Sequence, residues 1–226
     1  SIGTDRRRQP RRIMKILAEI DADIVSLQEV DRRFGERATT LSPDLLVDFT
    51  NYMPVRFGIR EQSLGWHGNV LLVKKGIEVR NPQRIELPAF EPRGAVMADV
   101  VIDGTAMRVV GMHLGLLGNS RMKQADAIVS HLEKLEQHMP TVIMGDLNQW
   151  AVDGKCLVAF ARHHDVIPLG PSFHSRRPML QLDRIITSRD FRLESAGVHR
   201  TALARTGSDH LPVWASLSLQ RAEAAA

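Results

Sequence analysis

Thr141-Val142-Ile143-Met144-Gly145-Asp146-Leu147-Asn148 is the stretch on which the reading of the fold turns. Its apolar run is short and bounded by polar residues, which predicts a strand buried in a sheet, and it delivers a carboxylate, Asp146, and an amide, Asn148, to the strand's end. Outward from it, Ser120 to His138 reads as an amphipathic helix with Met122, Ala125, Ile128, Val129, Leu132 and Leu135 on one face, and Gly154 to Arg162 as a second helix. Strand-like runs precede them at Val55 to Arg60, Asn69 to Lys74, Val79 to Leu87, Ala95 to Ile102 and Met107 to Leu114. Turn signals separate these runs at Lys75-Gly76, Pro88, Pro92 and Asp103-Gly104, the last a hairpin signal.

Nearer the start, Pro10 opens a helical pattern with Ile13, Ile16, Leu17 and Ile20, followed by a strand-like run from Asp23 to Val30. Asp31 to Pro54 is polar and irregular, a loop with a short helix near Leu45 to Phe49, and Val213, Ala215, Leu217 and Leu219 alternate in a last strand. Hairpins and helices interspersed in this order suit an α+β arrangement of two packed mixed sheets flanked by helices better than a strictly alternating parallel fold.

The chain has 226 residues, 43% hydrophobic and 25% charged, which fits one domain over residues 1–221 with an Ala-rich end at 222–226 expected to fray. Cys156 is the one cysteine, so an internal disulfide and a CxxC zinc or redox pair are excluded, and a reducing compartment is compatible. Without an apolar run of roughly 18 residues or a signal-peptide pattern, the expectation is a soluble, cytoplasmic protein, a monomer with no obligate protein partner. The net charge of +4 comes from 24 Arg against 6 Lys, with five Arg between Arg6 and Arg12. Guanidinium favours phosphate-bearing partners, although this excess is within the ordinary range and is by itself a weak signal. The Arg6 to Arg12 run is expected on the exposed face of the first helix.

Polar residues that terminate apolar runs recur along the chain: Glu29, His113, Asp146 with Asn148, Asp183, and Asp209 with His210. One such residue means only that a strand has reached water. Five runs ending this way predict strand ends converging at one rim, where several carboxylates and two imidazoles need a cation or a phosphate-bearing ligand among them. Carboxylates and an amide without thiolate favour a hard divalent ion, Mg2+ or Mn2+. His131, His138, His163 and His164 lack zinc-site spacing and are expected at the surface or in the core.

Leu27 to Asp31 (LQEVD), His67 to Gly76 (HGNVLLVKKG), Val109 to Gly115 (VVGMHLG), Ile143 to Asn148 (IMGDLN), Leu180 to Ile185 (LQLDRI) and Gly207 to Val213 (GSDHLPV) together resemble the endonuclease/exonuclease/phosphatase superfamily. GDLN with SDHLP carries most of that likeness, and Phe173 to Ile185 is most similar to small bacterial hydrolases of the group. The resemblance implies a four-layer αββα sandwich and Mg2+-dependent (or Mn2+-dependent) hydrolysis of a phosphodiester or phosphomonoester. It implies Glu29 and Asp209 on the metal, Asp146 orienting or deprotonating the attacking water, and Asn148 holding that water. His210 would donate to a phosphoryl or leaving oxygen with Asp183 on its other ring nitrogen, and His113 would be a second phosphate contact. Which of Asp146 and His210 is the general base stays open. Such proteins begin with a central strand of the type YNI, and Ser1 to Arg7 would follow it, so that strand and its Asn are expected to be missing from this chain.

Asn69 is expected near the site, as a substrate contact or a structural hydrogen-bonding residue, and Arg93, Arg121, Arg176 and Arg177 as candidates to line a phosphate groove. Trp150 is read either as stacking on a base or head group or as covering the helix near Asp153. A serine-hydrolase triad through Ser208 fails for want of a G-x-S-x-G elbow, and a calcineurin-type site fails because Asn69 is followed by Val70. A catalytically impaired member that binds a phosphate ligand is the alternative. The substrate, nucleic acid, phospholipid head group or small ester, stays open: the 11 aromatics form no cluster with basic loops, and no apolar membrane hairpin is evident.

Overall fold

Alternation along three neighbouring strands explains the layering of the computed structural model, which describes every residue except 1, 2, 6, 8, 32–38, 58–62, 89, 90, 92, 152 and 221–226. In chain order the elements are α1 (Pro10–Ile20), β1 (Ile24–Leu27), α2 (Pro43–Phe49), β2 (Tyr52–Pro54), β3 (Val70–Lys74), β4 (Glu78–Glu86), β5 (Gly94–Ile102) and β6 (Thr105–His113). There follow α3 (Gly118–Glu133), β7 (Thr141–Asp146), α4 (Lys155–Ala161), β8 (His164–Val166), β9 (Asp183–Ser188), β10 (Phe191–Val198), α5 (Ala204–Gly207) and β11 (Val213–Leu219). A six-stranded sheet runs β4-β5-β6-β7-β9-β8. Among the described residues only β6 and β7 pair in parallel, and α3 supplies the crossover that a parallel connection needs.

Side chains of a strand alternate between faces. Met97, Val110, Met112 and Ile143 point to one face, where Ile128 of α3 and Phe160 of α4 cover them. Val96, Ala98, Val109 and Val142 point to the other, against Leu71 and Val73 of β3 and Ala215 and Leu217 of β11. Beyond that layer, Val70 and Leu72 of β3 meet Met14 and Leu17 of α1 and Leu46 of α2. The order is therefore helices, sheet, sheet, helices. Pro10 begins α1 and Asp21 ends it in the left-handed region at φ 48°, its N–H donating to Leu17 O. Asp103 and Gly104, both at positive φ, close the β5-β6 hairpin.

Three expectations are corrected. The run Val55 to Arg60 is not a strand where it is described: β2 lies earlier, and Val55 makes a single further rung to Leu71 O before the chain turns off, with residues 58–60 outside the described set. β8 and β10, too polar to stand out as apolar runs, complete two sheet edges. The second layer is antiparallel rather than mixed and comes in two pieces, β1-β3-β2 and β10-β11. Between β1 and β11 runs a cleft of about 830 Å3 walled by Ile24, Val25, Val213 and Ala215, floored by Val142 and Ile185, and ending at Asp183 and His210. The expected frayed tail at 222–226, and Arg6 and Arg8 of the arginine run, lie outside the described residues. Among the described residues no helix is long and apolar enough to cross a membrane.

Gly145 shows how closely β6 and β7 approach. It sits at φ +153°, and a Cβ there would lie 1.9 Å from Met112 O. Gly145→Ala is expected to lower stability by about 3 kcal/mol or more, read as a lower urea midpoint; an unchanged midpoint would contradict the close pairing.

His164 is buried in β8, and removal from water holds its imidazole below the usual histidine value of 6.5. The unfolded chain then takes up the proton first as pH falls, so stability is full above about pH 6.5 and declines below it, by at most about 1.4 kcal/mol per pH unit for one proton. His164→Gln is expected to flatten the loss of stability between pH 7 and 5; an unaltered slope would assign it to other groups.

Candidate active site

A single rung crosses the centre of the six-stranded sheet and carries the polar strand ends. Gly94 of β5 faces His113 of β6, His113 faces Asp146 of β7, and Asp146 faces Asp183 of β9. Residues paired across neighbouring strands project to the same side, so the imidazole and two carboxylates are side by side at the carboxyl ends of the parallel strands, where open sheets bind ligands. The ladder continues one step beyond through Leu114 N to Asp146 O and Leu147 N to Leu182 O, which fixes the rung at the sheet's rim.

His210 joins from the loop between α5 and β11. Its Nδ1 is 2.8 Å from Asp183 Oδ2, and Ser172 Oγ donates to the same carboxylate oxygen at 2.5 Å. The loop around Ser172 clamps this segment: Ser175 N donates to Asp209 O and Leu211 N to Ser172 O, while the Phe173 ring tilts over the His210 ring at 4.9 Å. With Nδ1–H given to Asp183, His210 directs Nε2 towards Asp146 Oδ2, 4.0 Å away. On the other side His113 Nε2 lies 3.4 Å from the same oxygen. Asp146 Oδ2 thus stands between two imidazoles.

Asn148 sets the other half of that carboxylate. It adopts φ 51°, a left-handed conformation that Asn tolerates better than most residues, and from there its N–H donates to Asp146 Oδ1 at 2.8 Å while Nδ2 donates to Leu114 O at 2.9 Å. Arg93, the neighbour of Gly94, brings Nη1 to 2.8 Å from His113 Nε2 and 2.9 Å from Nδ1. Equal approach to both ring nitrogens places the guanidinium nitrogen over the imidazole face. Arg93 also pairs with Glu91 at 3.3 Å.

Burial and the charge of Asp183 push the Asp146 carboxyl up to about 7, against the opposing pull of His210, Asn148 N–H and Arg93. His210 is raised as well, but towards its charged form: burial disfavours that charge, and the hydrogen bond to Asp183 with the fields of Asp183, Asp146 and Asp209 prevails and raises it to about 9. The site therefore holds a proton on one group and can accept one on another, 4.0 Å apart.

The remaining expected residues are placed as follows. Glu29 ends the β1 segment, exposed, at φ 56°, with Gly68 packed against its backbone. Asp209 is exposed beside His210 and accepts from Ser208 Oγ at 3.2 Å. Among the described residues no three His, Cys, Asp or Glu side chains gather as metal ligands. The donor chemistry nonetheless suits a hard cation, since the offered atoms are carboxylate oxygens. Asn69 is fully buried and gives Nδ2 to Gly94 O and Trp66 O, so it bears on the site through the backbone beside Arg93. Arg176 and Arg177 are exposed on the loop before β9. Arg121 does not line a groove: it is buried and donates to Leu116 O and Gln149 Oε1, so it braces loops. Ser208 Oγ accepts from His210 N and donates to Asp209, which leaves it no triad role. Ser172 and Phe173 escaped sequence reading because their roles arise from partners 11 and 37 positions away; only the polar density of the run before Asp183 hinted at them.

A sequence model of the Endonuclease/Exonuclease/phosphatase family matches residues 3–210. The uncharacterized protein YbhP of Escherichia coli K12 is 28% identical over an alignment 168 residues long that covers 69% of this chain and 64% of that protein; the chain thus spans less than two thirds of that relative. Among solved structures, a Bacteroides thetaiotaomicron mannosyl-6-phosphatase superposes with TM-score 0.75 at 16% identity, covering 94% of this chain and 91% of the other. The human Nocturnin catalytic domain with bound sulfate gives 0.73 at 20% identity, with 93% and 86% covered. Danio rerio TDP2 with a single-stranded DNA product gives 0.71 at 14%, with 93% and 92% covered. At these identities the structures establish the shared fold.

Proposed function

The chain belongs to the Endonuclease/Exonuclease/phosphatase family, and from that premise we propose that it hydrolyses a phosphodiester or phosphomonoester by in-line attack of water, with Mg2+ or Mn2+ as cofactor. The observation that carries this is the rung itself: Asp146 Oδ2 between the Nε2 atoms of His113 and His210, with Arg93 over His113. Water oxygen bonds to phosphorus as the ester P–O bond breaks; Asp146 takes the proton from water, and His210 Nε2 gives its proton to the leaving oxygen. The products are an alcohol and a phosphate, and the two groups exchange their protons back through solvent. Asp183 keeps His210 in the tautomer that points Nε2 at the reaction. Arg93 and His113 meet the negative charge of the phosphoryl oxygens. Glu29 and Asp209 are the residues that would hold a divalent ion, which would supply further positive charge to the phosphoryl group.

The cleft between β1 and β11 belongs to the same reading. With a volume of about 830 Å3 and the edge strands β1 and β11 on either side, the cleft has the form of a strand position. This is the place for the central strand that the family resemblance expects, and its site end meets Asp183 and His210. The alternative is a catalytically impaired protein that binds a phosphate ligand. Turnover of a model phosphodiester or phosphomonoester with Mg2+ or Mn2+ is the test. Metal-dependent release of the alcohol is expected; a protein that melts cooperatively yet turns over nothing with any divalent metal favours the binding alternative.

A further inference from the structure

Among the described residues nine large hydrophobic side chains are exposed, and five of them stand in the three loops that leave the catalytic rung. Leu116 and Leu117 are 63% and 64% exposed, just past His113; Trp150 is 62% exposed, just past Asp146; Met179 at 70% and Leu180 at 37% come just before Asp183. Their loops are braced together from below. Buried Arg121 donates to Leu116 O at 2.5 Å and to Gln149 Oε1 at 3.3 Å. Arg184, 2% exposed, donates to Gln149 O at 3.1 Å and to Gln181 O. Two buried guanidiniums thus tie all three loops to Gln149, the neighbour of Trp150. A rim of apolar tips held in water by buried charges runs against what solubility asks of a surface and marks a binding face.

We infer that the phosphoester this site accepts carries an alkyl or acyl chain, a lipid phosphate, and that the chain lies on Leu116, Leu117, Trp150, Met179 and Leu180. This rests on the phosphoesterase reading above and names its substrate class. Four of the five side chains are aliphatic or thioether, whereas single-stranded nucleic acid needs successive aromatic platforms. Exposed Arg176 and Arg177 share a loop with Met179 and Leu180, so positive charge sits beside apolar surface, the pairing that an anionic head group with a chain requires.

The test compares glycerol phosphate, decanoyl lysophosphatidic acid below its micelle concentration, phosphatidic acid vesicles and oligothymidylate, each with Mg2+ and Mn2+. The chain-bearing ester is expected to show kcat/KM at least about tenfold above glycerol phosphate, because each methylene removed from water favours the complex. The triple variant Leu117→Ser, Trp150→Ser, Met179→Ser is expected to lose that preference and keep the glycerol phosphate rate. Equal rates with and without the chain, a preference surviving in the triple variant, or faster turnover of oligothymidylate would overturn the inference. A second measurement holds if no ester is turned over: Trp150 fluorescence in Asp146→Asn protein, taken as the difference from the same protein with Trp150→Phe. A blue shift with decanoyl lysophosphatidic acid supports the chain site even then and faults only the hydrolytic reading; no shift with monomer or vesicle overturns it. A shift with vesicles and none with monomer overturns it as well, since Trp150 would then meet a membrane surface and not the chain of a single substrate.

Discussion

Asp146→Asn is expected to lower turnover at least about 10²-fold while the protein melts at the same temperature or higher. Asparagine keeps the shape of the side chain, and its carbonyl oxygen can still accept from Asn148 N–H at the Oδ1 position, 2.8 Å in the parent. What disappears is the proton acceptor between His113 and His210. Stability moves the other way because the parent carboxylate is buried next to Asp183, which is why its pKa rises to about 7; a neutral amide removes that repulsion. His210→Ala is expected to cost at least about as much in rate, through loss of the proton donor, with the Ser172 to Asp183 hydrogen bond left in place. Activity lost together with the fold would say only that the site is structural, and unchanged rates in both variants would place the chemistry elsewhere.

The second large effect concerns the cleft between β1 and β11. Extending the chain before Ser1 by a seven-residue strand of alternating Val and Thr, with Asn at its site end, is expected to raise the melting temperature by about 10 °C, since about 3 kcal/mol moves a domain of this size by that much. The gain comes from pairing two strand edges and covering the half-buried Val25, Val213 and Ala215. Amide exchange at Ile24 to Leu27 and Val213 to Leu219 is expected to slow with it. The same extension carrying two prolines is the control, because proline cannot donate to a ladder. An unchanged melt and unchanged exchange would show that the cleft is not a strand position.

The layered architecture was legible because it follows from alternation within single strands. Val109 and Val110, or Val142 and Ile143, must face opposite ways, so runs this apolar have to be covered on both faces; the interspersed hairpins and helices suited two packed sheets flanked by helices, and the four-layer order came with the family resemblance. The polar strand ends were equally legible as a group. Their register was not: that His113, Asp146 and Asp183 share one rung depends on pairing between strands far apart in the chain, and local sequence carries no record of it. The same holds for Arg121, whose charge suggested a phosphate contact and whose position on the buried face of α3 makes it a brace. Ser172 gave no signal beyond the polar density of its run, because its partner, Asp183, lies 11 positions away. The strand β10, with its run of exposed residues, lacked the apolar pattern that revealed its neighbours.

The most direct test of the central claim, that water attacks phosphorus at the rung of His113, Asp146 and Asp183 beside His210, is hydrolysis in oxygen-labelled water with Mg2+ or Mn2+. The label is expected in the phosphate product, at a rate that falls at least about 10²-fold in Asp146→Asn. Label appearing in the alcohol, or in the phosphate at a rate indifferent to Asp146, would contradict it.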